Sequence, residues 1–181
     1  MSWQIDTAHT QVMFVVRHMM ISKVRGSFEK FSGTVNLNED KPELTSVEVV
    51  VETASVNTRD SQRDGHLRSG DFFNSEVYPT MVFRSTRVER TGEATAKLYG
   101  DLTIRDVTKP VVLDVEFAGV QKSPWGATSY GFSATGKLNR KEWGLVWNVA
   151  LETGGMLVGE DVELSIELEL VKTPEEAAAA A

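Results

Sequence analysis

Alternation with a period of two residues runs through most of this sequence. Val162, Leu164, Ile166, Leu168 and Leu170 alternate with Glu163, Ser165, Glu167 and Glu169. Val111, Leu113, Val115 and Phe117 interleave with Val112, Asp114 and Glu116, and Val47, Val49 and Val51 with Glu48 and Val50. Side chains of a strand point to opposite faces in turn, so each segment is a strand with one wet and one dry face. Weaker versions cover 11–18, 24–37, 79–89, 95–105 and 128–138, which makes eight strands in all. Within 24–37 the apolar parity changes between Phe28 and Phe31, and this predicts a bulge near Glu29–Lys30.

Turn signals separate the strands: "NEDKPE" at 38–43, "RTGE" at 90–93, "RDVTKP" at 105–110 and "KSPWG" at 122–126. Links this short join antiparallel neighbours in an up-and-down order. Two segments read as helical. One is 58–69, capped by Asn57 or Thr58 and stopped before Gly70, with Asp64 and Arg68 at i,i+4; the other is a turn at 139–144. These are too few and too polar to cover eight dry faces, which leaves a sandwich or a sheet closed on itself. Sequential short links favour the closed sheet, which also removes unpaired edges. The expected fold is therefore all-β: an eight-stranded antiparallel, lipocalin-like barrel with one or two short helical segments.

The 181 residues suit one domain over 1–172, with "TPEEAAAAA" at 173–181 read as a frayed or appended tail. The net charge of −7 disfavours nucleic acid as a partner. There is no cysteine, so no disulfide framework and no thiol chemistry. No apolar run approaches the roughly 18 residues of a spanning helix, so stable membrane insertion is not expected. No leader is visible at "MSWQIDTAHT". The expected compartment is the cytoplasm as the sequence stands, or the periplasm if the chain is a mature form. A homodimer through an exposed strand face is compatible with the pattern.

An eight-stranded barrel is either filled by its own side chains or just wide enough for one small ligand. Several dry faces carry small residues, Gly26, Gly33, Gly100, Ala134 and Gly136, amid Phe14, Phe28, Phe31, Met81, Phe83, Leu102, Phe117 and Phe132. Glycine weakens a strand, so it marks either a bend or a place where room is needed. Both readings stand at this level. The histidines, His9, His18 and His66, have spacings that match no metal motif, and no metal site is expected. Ser61 and Ser69 lie near His66, but nearness in sequence is not a triad, and no G-x-S-x-G occurs. Trp143 and Trp147 read as packing residues that plug or line one end. The stretch "NTRDSQRDGHLRSGDFF" at 57–73 combines balanced charges with Leu67, Phe72 and Phe73. Either the charges pair among themselves and fix a loop, or Arg63 or Arg68 meets a polar head group.

Five pieces together resemble the YceI-like family of polyisoprenoid-binding, lipocalin-like bacterial proteins: "IDTAHTQVMFVVRHM" (5–19), "VRGSFEKFSGTV" (24–35), "NTRDSQRDGHLRSGDFFNSEVYPTMVF" (57–83), "GDLTIRDVTKPVVLDV" (100–115) and "LNRKEWGLVWN" (138–148). The resemblance spans about residues 3–171. Asp6 and His9 match the family's opening Asp-x-x-His. Gly26, Phe28, Phe31 and Gly33 match its G-x-F-x-x-F-x-G run, and Arg63, Asp64, His66, Leu67, Arg68, Asp71, Phe72 and Phe73 its helical signature. Asn139, Arg140 and Gly144 match a late motif in which Trp143 replaces the more usual Phe, a swap whose bulk would shorten a cavity.

The resemblance implies a barrel whose cavity holds an isoprenoid chain, as of a quinone or prenyl lipid, for transport, storage or sequestration. It implies no enzymatic reaction and no cofactor other than the bound lipid. The expected lining is Phe14, Val16, Phe28, Phe31, Val49, Leu67, Phe72, Phe73, Phe83, Leu102, Leu113 and Phe132. A polar mouth is expected at His18, Arg63, His66 and Arg68. The rivals are a lipid-modifying enzyme using His18 or His66, and a dry barrel used for protein contacts.

Overall fold

The computed structural model describes residues 3–172, so the tail at 173–181 lies outside the described residues. The alternating segments form β1 (Gln4–Ile5), β2 (Gln11–His18), β3 (Ser22–Phe28), β4 (Phe31–Asn36), β5 (Ser46–Glu52), β6 (Val56–Asn57), β7 (Thr80–Arg90), β8 (Thr95–Ile104), β9 (Val107–Lys122), β10 (Thr128–Asn139) and β11 (Val158–Lys172). One α-helix, α1 (Ser61–Arg68), interrupts them, with short 3-10 turns at Pro42–Leu44, Thr53–Ser55 and Arg140–Trp143. All strand pairings are antiparallel.

The described residues thus hold eleven strands, not eight. The difference comes from two breaks and from the short β1. The parity change between Phe28 and Phe31 is a full interruption at Glu29–Lys30, not a single-residue bulge. β3 before it pairs with β2 and β6, and β4 after it pairs with β5. The opposite strand breaks in step, at Thr53–Ser55, between β5 and β6. Across the gap the ladder continues through irregular bonds, the Glu29 amide donating to the Ser55 carbonyl at 3.2 Å and the Glu52 amide to the Lys30 carbonyl at 2.9 Å. Each broken pair is one bent stave. With β3–β4 and β5–β6 counted so, and β1 set aside, the sheet is an up-and-down ring of the predicted eight, closed by β11 on β2. The short β1 pairs with β11, and Trp3 bridges on to Val35 of β4.

"RDVTKP" holds a tighter turn than its composition suggests. Only Arg105 and Asp106 lie between the paired Ile104 and Val107, and Arg105 has φ 57°. Pro110 is therefore inside β9. It is tolerated because β9 pairs with β10 only from Asp114 onward, so no partner on that side asks for its missing N–H. The two strands diverge beyond the Asp114–Thr135 pair. The Arg140–Trp143 turn packs on both β9 and β11 there, bringing the fully buried Trp143 to the split.

The helical segment is shorter than 58–69, and its cap is Asp60, not Asn57 or Thr58. Arg59 has φ 64°, which reverses the chain just before the helix. The Asp60 carboxylate then accepts from the amides of Gln62 and Arg63 at 3.1 and 3.0 Å. Those bonds, the Arg63 amide's first, hold Asp60 below its ordinary 3.8.

Candidate functional site

The dry faces surround a cavity of about 750 Å³. It runs from Leu37, Pro42 and Thr45 at one end of the barrel to His18, His66 and Trp147 at the other. This volume falls among ordinary ligand pockets, roughly 300–1,000 Å³. All the predicted lining residues face it: Phe14, Val16, Phe28, Phe31, Val49, Leu67, Phe72, Phe73, Phe83, Leu102, Leu113 and Phe132. Every inward residue of the 162–170 alternation also reaches it.

The glycines explain how large side chains leave the axis open. Phe14 lies directly over Gly26, its registered neighbour, and Phe83 over Gly100 on the next strand. A Cβ at either position would collide with the ring. The missing Cβ atoms thus let the phenylalanines lie back along the wall. Of the two readings, bending or room, room describes Gly26 and Gly100.

The end near α1 is roofed by the stretch 57–73. Phe72 is buried, and Phe73 meets Phe28 edge-on at 5.6 Å. The charges of this stretch bind mostly to backbone and hydroxyl groups. Asp64, itself buried, accepts from the Thr58 amide at 2.8 Å and the Thr58 hydroxyl at 2.6 Å. Arg63 donates from Nε to the Thr58 hydroxyl and from Nη2 to the Thr58 carbonyl, both at 2.8 Å. Arg68 donates from Nε to the Ala54 carbonyl at 2.9 Å. Arg68 is therefore not at the mouth, contrary to expectation: it turns outward to tie the helix to the 3-10 turn of the bent stave. Its i,i+4 neighbour Asp64 is committed to Thr58. His18, Arg63 and His66 do line the cavity.

His66 bonds to Asp71 through Nε2 at 2.8 Å and packs edge-on against Trp147 at 4.5 Å and Phe72 at 5.1 Å. The Ser69 hydroxyl donates to the backbone carbonyl of His66, not to its ring. No serine–imidazole contact is formed among the described residues.

Sequence reasoning missed Arg140 as a cavity residue. It is almost completely buried, donating to the carbonyls of Gly159, Leu145, Trp147 and Val158, the shortest at 2.6 Å to Leu145. Its guanidinium faces the cavity wall beside Phe72, at 5.7 Å from that ring. Burial pulls its affinity for the proton down, opposed by Glu160. The carbonyls hold the cation, and among the described residues no carboxylate is bonded to it, so its positive field extends into the apolar space. Trp143 also lines the cavity and donates from Nε1 to the Leu102 carbonyl at 2.9 Å.

At the opposite end, His9 bonds to Asp6 at 2.8 Å, and Glu169 joins them in a cluster of three possible ligand atoms within 4.8 Å of one another. The Asp6 amide bonds to the Glu169 carbonyl. His18 stands at the far end of the barrel, so the histidines do not converge.

A YceI-like domain model matches residues 3–170. A UPF0312 protein of Staphylococcus aureus is 36% identical over 169 residues, covering 93% of this chain and 96% of that one. The crystal structure of the Campylobacter jejuni YCEI protein superposes with a TM-score of 0.75 at 34% identity, over 87% of this chain and 90% of that one. Burkholderia cenocepacia BcnA superposes with a TM-score of 0.77 at 22% identity, over 92% and 99% of the two chains. A polyisoprenoid binding domain from Saccharophagus degradans gives 0.67 at 15% identity, over 95% and 98%. The last two likenesses are of fold.

Proposed function

This chain belongs to the YceI-like family, and on that premise we propose that it binds a polyisoprenoid chain, of a quinone or prenyl lipid, as a non-catalytic carrier or store. The observation that carries this reading is the apolar cavity of about 750 Å³ along the barrel axis. A barrel filled by its own side chains would lack it. Burial is worth about 0.8 kcal/mol per methylene, so some ten buried carbons supply ~8 kcal/mol before the costs of ordering. That gross energy corresponds to micromolar affinity without any polar contact.

The head group in this reading lies at the end roofed by α1, near His66, Arg63 and Arg140. The field of Arg140 favours an oxygen-rich or anionic head there. The solved polyisoprenoid binding domain from Saccharophagus degradans lends support through its shared fold. The enzymatic rival draws no support from the geometry around His66, where the nearby serine hydroxyl bonds to a carbonyl.

The test is denaturing extraction of the purified protein and mass spectrometry of the organic phase. Near-stoichiometric prenyl lipid, native or taken up on incubation, is the expected result. Repeated recovery of none, even after incubation with prenyl quinones, overturns the proposal.

A further inference from the structure

The turn between β2 and β3 runs against the usual chemistry of hairpins. Met19 and Met20 have φ of 50° and 63°. Positions of positive φ normally go to Asn, Asp or Gly, because a Cβ is crowded there. Here they carry bulky apolar side chains, and these are held in water. Met19, Met20 and Ile21 are 42%, 62% and 82% exposed. The turn is anchored against the 144–157 segment: the Met19 amide donates to the Leu157 carbonyl at 2.7 Å, and the Met20 side chain lies against Gly155. Val149 and Met156, both exposed, belong to that segment and extend the apolar end.

The strands leading into the turn carry exposed cations, and the first of them, Arg17, also borders the cavity. Arg17 and Lys23 are directly paired in register, and Arg25 follows two residues after Lys23 on β3. All three are exposed, and their side chains make no hydrogen bond or ion pair among the described residues. Like charges placed opposite each other on a strand pair are destabilising. Yet this occurs in a chain of net charge −7, which has carboxylates to spare. Of the acidic residues nearby, Glu160 is paired with Lys141 at 3.1 Å and Asp161 with Lys137 at 3.3 Å, and Glu152 stands on the 144–157 segment.

Strained apolar residues at a tip, with unpaired cations directly behind them, are complementary to one kind of surface. Apolar side chains enter the boundary of a bilayer while cations meet its anionic head groups. We propose that this end of the barrel docks reversibly on an anionic lipid bilayer. Met19, Met20 and Ile21 enter the head-group boundary, and Arg17, Lys23 and Arg25 face lipid phosphates. His18, the last residue of β2 before the turn, lines the cavity, so docking sets the cavity's end against the membrane. The docking itself does not depend on what the cavity holds.

The test is sedimentation of the purified protein with vesicles of phosphatidylcholine, with and without phosphatidylglycerol, at low ionic strength. Wild type is expected to pellet only with the anionic vesicles and to be released by added salt. Neutralising Arg17→Gln, Lys23→Gln and Arg25→Gln should weaken partitioning about fivefold each, since a cation near such a surface contributes about 1 kcal/mol. Met19→Ser, Met20→Ser and Ile21→Ser together should abolish binding with the cations in place, their folding being checked by circular dichroism.

An Ile21→Trp variant gives an independent reading: its emission should shift to the blue and be quenched by brominated acyl chains. Wild type that stays in solution with anionic vesicles overturns the proposal, as does an Ile21→Trp protein that pellets unquenched. So does a triple serine variant that still binds vesicles but has lost self-association in sedimentation, which assigns the tip to a second copy. None of these outcomes alters the extraction test, so docking and the cavity's ligand fail separately.

Discussion

The buried carboxylate of Asp64 accepts two hydrogen bonds from one residue, Thr58, through its amide at 2.8 Å and its hydroxyl at 2.6 Å. Arg63 grips the same threonine from the other side, through its hydroxyl and its carbonyl. This part of the charged stretch is thus a fastening. It fixes α1 at the exit of β6, and with it the roof formed by Leu67, Phe72 and Phe73.

Asp64→Ala leaves the Thr58 amide without its partner in a buried place. Hydrogen bonds to a charged group are worth about 1.5–3 kcal/mol, and an orphaned donor costs a similar amount. Urea denaturation should show a loss of about 2–4 kcal/mol. Asp64→Asn, which keeps an acceptor, should lose less. An unchanged midpoint for Asp64→Ala would remove this pair from the account of the roof.

Ala134 lines the cavity from β10, with open space before it. Ala134→Phe should fill part of that space without the strain of overpacking a solid core. Uptake of a prenyl quinone is expected to fall at least tenfold, while the melting temperature moves by only a few degrees. Uptake that survives the substitution places the ligand elsewhere.

Trp143→Phe deletes the Nε1–H donor to the Leu102 carbonyl. It also removes bulk from the split between β9 and β10. The expected cost is about 1–3 kcal/mol in thermal or chemical denaturation. Longer prenyl chains should be accommodated, read as a shift in the preferred chain length in competition binding. A variant as stable as wild type with unaltered preference contradicts both roles.

The contact between Asp6 and His9 gives the chain's first turn a pH window. The hydrogen bond to Asp6, aided by the carboxylate charge, raises His9 above its ordinary 6.5. The hydrogen bond from His9 lowers Asp6 below its ordinary 3.8. A raised histidine stabilises fully below 6.5 and ceases to as pH rises through its folded value. A lowered aspartate stabilises fully above 3.8 and ceases to as pH falls through its folded value. Both contributions coexist between 3.8 and 6.5. Exchange of the Asp6 amide with solvent, corrected for intrinsic rate, should be slowest in that interval and faster on either side. His9→Gln should remove the dependence at the upper edge.

The staves were legible because each carries its own burial pattern. Val162 to Leu170 names its inward face without any knowledge of its neighbours. What two strands do together was less legible. The parity change at Phe28 and Phe31 marked the place of the break, but its matching break at Thr53–Ser55 left no trace in a polar turn sequence. β1 is too short for any period to show. The helix cap was ambiguous because Asn57, Thr58 and Asp60 are all good caps, and the reversal at Arg59 chose among them.

Arg68 was misplaced because α1 carries one large apolar residue, Leu67, among polar ones, so composition does not say which of its cations turn inward. Arg140 was hidden for a related reason. A cation satisfied by four carbonyls depends on where the chain folds back, not on any residue beside it. The Met19–Met20 turn went unread because it lacks every residue type that announces a hairpin.

Gln4 pairs with Val171, and the ammonium of Lys172 lies 5.1 Å from the ring of Trp3. The two limits of the barrel therefore sit side by side on one rim. A short linker could splice them, and new termini could be cut into the exposed "RTGE" turn at the same rim without parting any stave from its neighbours.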